Sequence, residues 1–298
     1  MKLKRNLVTA SVLFISLATS QSLAQSGAMG AVKSGYAPVN GLRLYYEIHG
    51  SGEPLILLHG GFGAGDMFAP MMPVLSQHRQ VITVDLQAHG RTADIDRPIT
   101  FEVMADDIAG LAKYLGITNA DVMGYSLGGG VALRTAVQHP ELVKRLILVS
   151  VAFRRDGWYR EIVTAMSQVG AASAEPMKQT PMYQMYSRLA PRPAHWPVLL
   201  AKIGDLLKRD YDWSSDVAGL KMPTLLVYGD ADAVRTAHAV QFFELLGGGK
   251  KDGGWDGSGI STARLAILPG LTHYTVFSSP LLSATVASFL GAPMSAAK

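Results

Sequence analysis

The Gly-Tyr-Ser-Leu-Gly sequence at positions 124–128 constrains the fold of this chain more than any other feature. It follows an apolar run that ends at Met123 and precedes a helix-like run that begins at Gly129. A Gly-x-Ser-x-Gly sequence in that context is typical of a sharp strand-to-helix turn that exposes the serine hydroxyl at the end of the strand. In a chain with 31 glycines the five residues alone would be a weak signal, but their position predicts that Ser126 is a nucleophile.

A nucleophilic serine needs a base, and the base needs an orienting acid. In chains with this turn both follow the serine, the acid first and the histidine second. Residues 224–229 are predicted to form a buried strand that leads into Asp230 and Asp232, and a later predicted strand, 263–268, is followed by His273. Because ligand sites in open α/β sheets form beyond the carboxyl ends of the strands, we expect these side chains to meet the serine. The residues alone leave the acid open between the two aspartates.

A glycine-rich turn after the predicted strand at 54–58 is the candidate for binding negative charge. Its backbone can offer an N–H group to an oxyanion, and the N–H group of Leu127 would be the second donor. The first donor is expected to be Gly61, with Phe62 as the alternative. The side chains of Phe62 and Tyr125 are expected to contact the substrate.

With these motifs in this order, the chain resembles the α/β-hydrolase family over roughly residues 38–290. A further similar stretch lies at 84–91, which departs at two positions from the family's usual Asp-x-x-Gly-x-Gly-x-Ser. The resemblance implies that Asp232, the second acid of a Gly-Asp-x-Asp stretch, is the catalytic acid and that Asp230 forms the turn. It also implies a serine hydrolase that needs no cofactor.

Strands alternate with helices along most of the chain, and this pattern predicts a mostly parallel sheet covered by helices on both faces. The resemblance implies a doubly wound α/β sheet of about eight strands. The alternation stops at residues 151–220, where no strand-like run occurs and tryptophan, tyrosine and methionine are frequent. The resemblance implies that this segment is a helical cap inserted over the active site, with 25–150 and 221–298 forming the core. The arginines of the cap are expected to face water.

The first 24 residues predict a secretory signal peptide, with a basic start, an apolar stretch and small residues before Gln25. A membrane anchor is the alternative, but the apolar stretch is shorter than the ~20 residues that a spanning helix needs. Cleavage after Ala24 predicts a periplasmic or secreted protein with no stable membrane association. It also removes three basic residues and no acid, so the net charge falls from +4 to +1.

Composition excludes several other classes of site. The low charge of the mature chain and the lack of a basic stripe with aromatic residues argue against a nucleic-acid partner. The absence of cysteine excludes disulfides, thiolate metal ligands and a cysteine nucleophile. No His-Glu-x-x-His sequence is present, and neither a metal nor a cofactor is expected. Of the remaining histidines, His59 and His89 are expected to hold loop backbone, and His238 is expected to face solvent.

The sequence therefore predicts an enzyme that acts on a small molecule. Ser126 would attack a carbonyl carbon, His273 would move the proton, and Asp232 would orient the imidazole. A small to medium, neutral carboxylic ester is the first expectation for the substrate. The alternatives are a lactonase, an amidase or a C–C bond hydrolase with the same triad, or a slow-turnover ligand-binding protein on a hydrolase fold.

Overall fold

The computed structural model describes residues 32–291, and the predicted signal peptide at 1–24 lies outside them. Among the described residues the strands are β1 Lys33–Val39, β2 Leu42–His49, β3 Glu53–Leu58, β4 Arg79–Asp85, β5 Ala120–Tyr125, β6 Val143–Val149, β7 Thr224–Ala231 and β8 Ala263–Thr272. The α-helices of the same part are α1 Met72–Leu75, α2 Phe101–Tyr114, α3 Leu127–Gln138, α4 Arg160–Gln168, α5 Ala174–Met177, α6 Pro181–Leu189, α7 Trp196–Lys208, α8 Ser214–Gly219, α9 Thr236–Leu245 and α10 Pro280–Gly291.

The eight strands form a single sheet in the order β1-β2-β4-β3-β5-β6-β7-β8. Strand β2 runs antiparallel to both of its neighbours, and every pairing from β4 to β8 is parallel. All six residues of β5 are buried, as expected for a central strand covered on both faces. The predicted mostly parallel sheet of about eight strands is confirmed.

Alternate residues of the central strands contribute to two hydrophobic layers, one on each face of the sheet. In β3, Ile56 and Leu58 belong to one buried cluster, whereas Leu55 and Leu57 belong to the other. This division follows from the two-residue repeat of side-chain direction along a strand. The sheet is therefore held between two apolar layers, and its polar side chains gather at the strand ends.

The segment between β3 and β4 contains two short helical pieces. A 3₁₀ helix covers Gly65–Met71, and the four-residue α1 follows it. Pro70 lies inside the first piece, and Pro73 is the second residue of α1. Proline has no N–H group to donate within a helix, so two prolines this close prevent one continuous α-helix.

Residues 151–220, all of them described, contain helices α4 to α8 and no strand, and we call this segment the cap. Two isolated bridges involve the cap. One joins Arg154 to Asp212 within it, and the other joins Trp158 to Val234 in the loop after β7. No helix in the described part of the chain is long and apolar enough to cross a membrane.

Candidate active site

Ser126 occupies the sharp turn between β5 and α3, with a φ angle of 52°. Positive φ is uncommon for a residue with a side chain and stores strain. The flanking glycines make the turn feasible. A Cβ atom on Gly124 would collide with the backbone of Gly128, and one on Gly128 would collide with the carbonyl of Leu58 in β3. The turn therefore needs glycine at both positions, which is the steric reason for the two glycines of the Gly-x-Ser-x-Gly sequence.

The structure brings together the three predicted catalytic residues, which come from three different strand ends. His273 Nε2 lies 3.0 Å from Ser126 Oγ, and His273 Nδ1 lies 3.0 Å from Asp232 Oδ1. His273 and Asp232 are 7% and 6% exposed, so little water competes for these contacts. The geometry suits proton transfer from the serine to an imidazole whose tautomer is fixed by the carboxylate.

Four donors surround the carboxylate of Asp232. Besides His273, the backbone N–H of Val234 donates to Oδ1, and Ser150 Oγ and the backbone N–H of Gly229 donate to Oδ2. Burial alone would raise the pKa of Asp232, but the hydrogen bond and charge of His273, followed by the hydrogen bonds from Ser150 and Val234, hold that pKa below its ordinary value. The carboxylate is thus ionised at neutral pH, as an orienting acid must be.

Asp230 is placed elsewhere. Its Oδ1 accepts a hydrogen bond of 2.8 Å from the backbone N–H of Gly270, and the side chain is exposed. This contact joins the carboxyl-terminal part of β7 to that of β8. Of the two aspartates that the residues alone left open, the structure puts Asp232 on the histidine and gives Asp230 a turn contact.

The candidates for oxyanion binding lie beside Ser126. Gly61, Phe62 and Leu127 all line the cavity above the serine. Leu127 is the first residue of α3, where the N–H groups have no partner inside the helix and face an anion favourably. Phe62 has a φ angle of 61°, and its ring packs edge-on against the ring of Trp196 in the cap. The choice between Gly61 and Phe62 as donor stays a prediction.

Tyr125 lines the cavity, as predicted for a substrate contact, and it also holds the base. Its hydroxyl donates a 2.7 Å hydrogen bond to the backbone carbonyl of His273. Burial raises the pKa of Tyr125, so the hydroxyl stays protonated and keeps this bond at neutral pH. The residue next to the nucleophile therefore fixes the loop that carries the histidine.

A cavity of about 640 Å³ lies between the strand ends and the cap. Ser126 and His273 are at its floor, and most of its lining is apolar. Arg155 belongs to the lining, so the expectation that the cap arginines face water is wrong for this residue. Its Nη1 donates to the backbone carbonyls of Leu207 and Arg209, at the carboxyl end of α7. Two carbonyls at a negative helix end offset part of the arginine charge.

Sequence reasoning missed residues whose contact with the site depends on distant pairing. Ser150 reaches Asp232 because β6 and β7 are neighbours in the sheet. The ring of Trp158 meets the edge of the His273 ring at 5.5 Å, and its Nε1 donates to Tyr211 Oη at 2.9 Å. The only sequence signal was the abundance of aromatic residues in the cap, which does not say which of them touches the histidine.

The expectation that His238 faces solvent is wrong. The residue is fully buried, its ring stacks on Phe153 at 4.1 Å, and its Nε2 accepts a hydrogen bond from the backbone N–H of Phe153. Burial lowers the pKa of His238 to about 4. The sequence around His238 predicts a helix, but it does not show that Phe153 of the cap covers the face of the helix that carries this histidine.

His59 and His89 are placed as predicted, in contact with loop backbone. His59 Nε2 accepts from the N–H of Leu86, and its Nδ1 donates to the carbonyl of Gly60. The Nδ1 of His89 donates to the carbonyl of Gln87. Both rings are fully buried, and burial lowers the pKa of His59 to about 4 and that of His89 to about 3. Within residues 32–291, no group of three or more histidine or acidic side chains is arranged to hold a metal ion.

Sequence comparison agrees with this architecture. A sequence model described as the alpha/beta hydrolase fold matches residues 53–163. The chain is 31% identical over 191 residues to the "Putative carbamate hydrolase RutD" of Caulobacter vibrioides, covering 57% of this chain and 71% of that protein. The chain belongs to the α/β-hydrolase family. A protein of the same name from Azorhizobium caulinodans is 29% identical over 216 residues, covering 67% of this chain and 81% of that protein.

Solved structures share the fold of this α/β-hydrolase at low identity. The carboxylesterase CesB of Bacillus subtilis superposes with a TM-score of 0.68 at 18% identity, covering 89% of this chain and 93% of that one. At that level of identity the likeness shows the fold alone. The family and the hydrolase names of its relatives make this chain an enzyme.

Proposed function

We propose that this α/β-hydrolase cleaves small to medium, neutral carboxylic esters through an acyl-enzyme intermediate on Ser126. The observation that carries the proposal is the continuous line of contacts from Ser126 Oγ to His273 and on to Asp232, each 3.0 Å long, beneath an apolar cavity. A serine placed this way has a base to accept its proton and space above it for a carbonyl substrate.

The reaction takes place in two halves. Ser126 Oγ attacks the ester carbonyl carbon while its proton passes to His273 Nε2, and the amide of Leu127 with that of Gly61 or Phe62 binds the oxyanion. The tetrahedral intermediate collapses, the C–O bond to the alcohol breaks, and His273 gives the alcohol its proton. A water molecule then attacks the acyl-enzyme with His273 as base, releasing the carboxylic acid and restoring the serine. Asp232 stabilises the imidazolium in both halves.

The cavity wall supports a neutral substrate. Among the described residues that line the cavity, Arg155 is the one with a permanent charge, and its Nη1 donates to two backbone carbonyls. Moving a carboxylate from water to a largely apolar site costs free energy unless a partner neutralises it. An uncharged ester has no such cost.

Two p-nitrophenyl esters of equal chain length test the preference for neutral substrates. We expect multiple turnovers of the butyrate and at least a tenfold lower kcat/KM for the hemisuccinate, which carries a free carboxylate. A preference for the hemisuccinate that disappears in Arg155→Met would show that the arginine binds the acid. Release of one equivalent of p-nitrophenol without turnover would instead favour a ligand-binding protein.

The relatives named as carbamate hydrolases favour a second candidate substrate. A carbamate carbonyl can be attacked by the same serine, and its leaving group can be protonated by the same histidine. Ethanol release from ethyl carbamate and from ethyl butyrate separates the two. Faster ethanol release from the carbamate would show that a carbamate, and not an ester, is the preferred substrate.

We also propose that the protein is exported and begins near Gln25 after cleavage. The basic start and apolar stretch of the first 24 residues support this. Amino-terminal sequencing of the protein from a bacterial periplasm checks the cleavage site. Recovery of a chain that starts at Met1 in the membrane fraction would contradict it.

A further inference from the structure

We propose that the substrate carries an unsubstituted alkyl or acyl chain of medium length, roughly six to ten carbon atoms for a pocket of this size, which lies against the cap. The proposal rests on the proposed serine hydrolase function and names the group that its substrate presents to the cavity. Three observations on the cap carry it: the faces of three helices, the type of side chain, and the position of the polar groups.

Helix α4 turns an apolar face toward the cavity. Ile162, Ala165 and Met166 of α4, and Val169 directly after it, have the spacing of one helical face, and all four line the cavity. Yet no residue of α4 is buried. An amphipathic helix in a folded protein normally covers its apolar stripe with other side chains. Here the stripe faces the space above Ser126, so an apolar ligand would complete its burial.

Two further helices present apolar side chains to the same space. Helix α7 contributes Ile203, Leu206 and Leu207, which again share a face, and α6 contributes Met182 and Met185. Together with the face of α4, these five apolar side chains form the wall of the cavity. A polar chain, such as a sugar, would lose its hydrogen bonds to water without finding partners on this wall.

Methionine is frequent in the wall. The cap contributes four methionines to it, Met166, Met177, Met182 and Met185. Methionine is unbranched and has three rotatable bonds, so it adapts to ligands of varied shape. A wall of this kind fits a flexible hydrocarbon chain better than it fits one rigid ring.

Most polar side chains of the cavity lie near the reacting atoms, and several are already engaged; Arg155, which donates to the carbonyls of Leu207 and Arg209, is the exception. Tyr125 donates to the carbonyl of His273, and Trp158 donates to Tyr211. Tyr211 in turn donates to the carbonyl of Ala152 at 3.3 Å. The cavity is thus divided into a reactive polar floor and an apolar cap, as an ester with one hydrocarbon chain requires.

Two ester series measure the preference for chain length, with every substrate kept below its critical micelle concentration. One series is p-nitrophenyl acetate to decanoate, and the other is the acetate esters of ethanol to octanol. Burial of each added methylene should raise kcat/KM by about fourfold until the cavity is filled. We expect at least a thirtyfold rise between the acetate and octanoate members of the acyl series, or the equivalent rise in the alcohol series if the chain is on that side. A flat or falling profile in both series would overturn the proposal.

Glutamine replacements locate the chain. We expect Met166→Gln combined with Met185→Gln to lower the ratio of kcat/KM for the octanoate to that for the acetate at least tenfold. Thr164→Gln, which adds the same side chain to an exposed position of α4, is the matched control and should leave both values unchanged. Equal losses on both esters would contradict chain binding at the cap. Absence of turnover on every ester would contradict the proposed function itself.

Ser150 supports a second proposal from a different part of the site. It follows the last residue of β6 with a φ angle of 56°, is fully buried, and its backbone N–H donates to the carbonyl of Val227. Its Oγ donates a 2.5 Å hydrogen bond to Asp232 Oδ2. This backbone conformation costs free energy, and strain of this kind persists where the residue has a functional role. The hydrogen bond to Asp232 indicates what that role is.

We infer that Ser150 is a positioning residue, which acts on the reaction only through Asp232. By occupying Oδ2, its hydroxyl leaves Oδ1 directed at His273 Nδ1. Without this donor the carboxylate is held less firmly, and Oδ1 can turn away from His273 Nδ1.

The replacement Ser150→Ala tests this role, with Ser283→Ala, at a buried serine of α10, as the control. We expect a ten- to hundredfold lower kcat with little change in KM, as for loss of a hydrogen bond to a charged group. Wild-type activity would overturn the proposal. A loss that appears in KM as much as in kcat would also overturn it, since that result means a structural role alone.

Discussion

At the scale of single residues, the site depends on which of two neighbouring aspartates reaches the histidine. Asp232 lies beneath His273 with four donors around its carboxylate, whereas Asp230 accepts from the backbone of Gly270. Asp230 is the last residue but one of β7 and Asp232 directly follows that strand, so two acids only two residues apart have different partners.

We predict that Asp232→Asn lowers kcat far more than Asp230→Asn. An asparagine amide favours the wrong histidine tautomer, a change that costs on the order of 10⁴-fold in a serine protease. Asp230→Asn keeps an oxygen acceptor for the Gly270 N–H group and should stay within a few fold of wild type. Steady-state kinetics on p-nitrophenyl butyrate measure both. A larger loss in Asp230→Asn would reverse the assignment.

The sequence could predict Ser126 and His273 because each follows a predicted strand and is marked by nearby residues, whereas the choice of Asp232 over Asp230 came from the family resemblance. It could not predict the role of Ser150. This residue is 82 positions from Asp232 and meets it only because β6 and β7 are adjacent in the sheet. His238 was misplaced for a related reason. Local sequence gives the period of a helix but not the partner that covers each face.

At the scale of elements, the cap is tied to the core through α7. Lys202 Nζ lies 2.7 Å from Asp94 Oδ2 and donates to the carbonyls of Ile95 and Arg97, in the loop that follows β4. One ammonium thus satisfies three acceptors on a neighbouring element. The sequence could not show that Lys202 anchors the cap, because the lysine and its acceptors are more than a hundred residues apart.

We predict that Lys202→Met lowers the free energy of unfolding by about 1.5–3 kcal/mol, since hydrogen bonds to a charged group are lost and their acceptors lie partly buried. Lys208→Met removes a lysine from an exposed position of the same helix and should change stability by less than about 0.5 kcal/mol. Urea unfolding followed by tryptophan fluorescence measures both variants. Equal effects would show that Lys202 does not anchor the cap.

At the scale of the whole molecule, the parallel order of the sheet explains why the site forms where it does. Strands β5, β7 and β8 carry the nucleophile, the acid and the base, and parallel strands bring their carboxyl ends to one edge. The alternation of strands and helices in the sequence was enough to predict this arrangement. Two prolines divide the helical segment after β3 into a 3₁₀ helix and α1.

Three buried histidines make the stability of the molecule depend on pH. Burial lowers the pKa of His59 and of His238 to about 4 and that of His89 to about 3, whereas an unfolded chain has the ordinary value near 6.5. Between pH 6.5 and 4 the unfolded chain therefore binds protons that the native protein does not, and native stability falls as the pH falls.

We predict a loss of up to about 1.4 kcal/mol per pH unit for each of these histidines in that window. Unfolding free energies from urea titrations at pH 7.5, 5.5 and 4.5 measure the slope. His238→Gln should flatten it, and the matched change at exposed His78 should leave it as in wild type. The same slope in His238→Gln as in wild type would mean that His238 is not a buried neutral group.

The turnover rate of Ser126→Ala tests the central claim most directly. The claim is that Ser126 forms the acyl-enzyme, with His273 Nε2 3.0 Å from its hydroxyl. We predict a loss that reaches roughly 10⁶-fold in kcat on p-nitrophenyl butyrate. Circular dichroism and urea unfolding should match wild type. Turnover near the wild-type rate in the folded variant would contradict the mechanism.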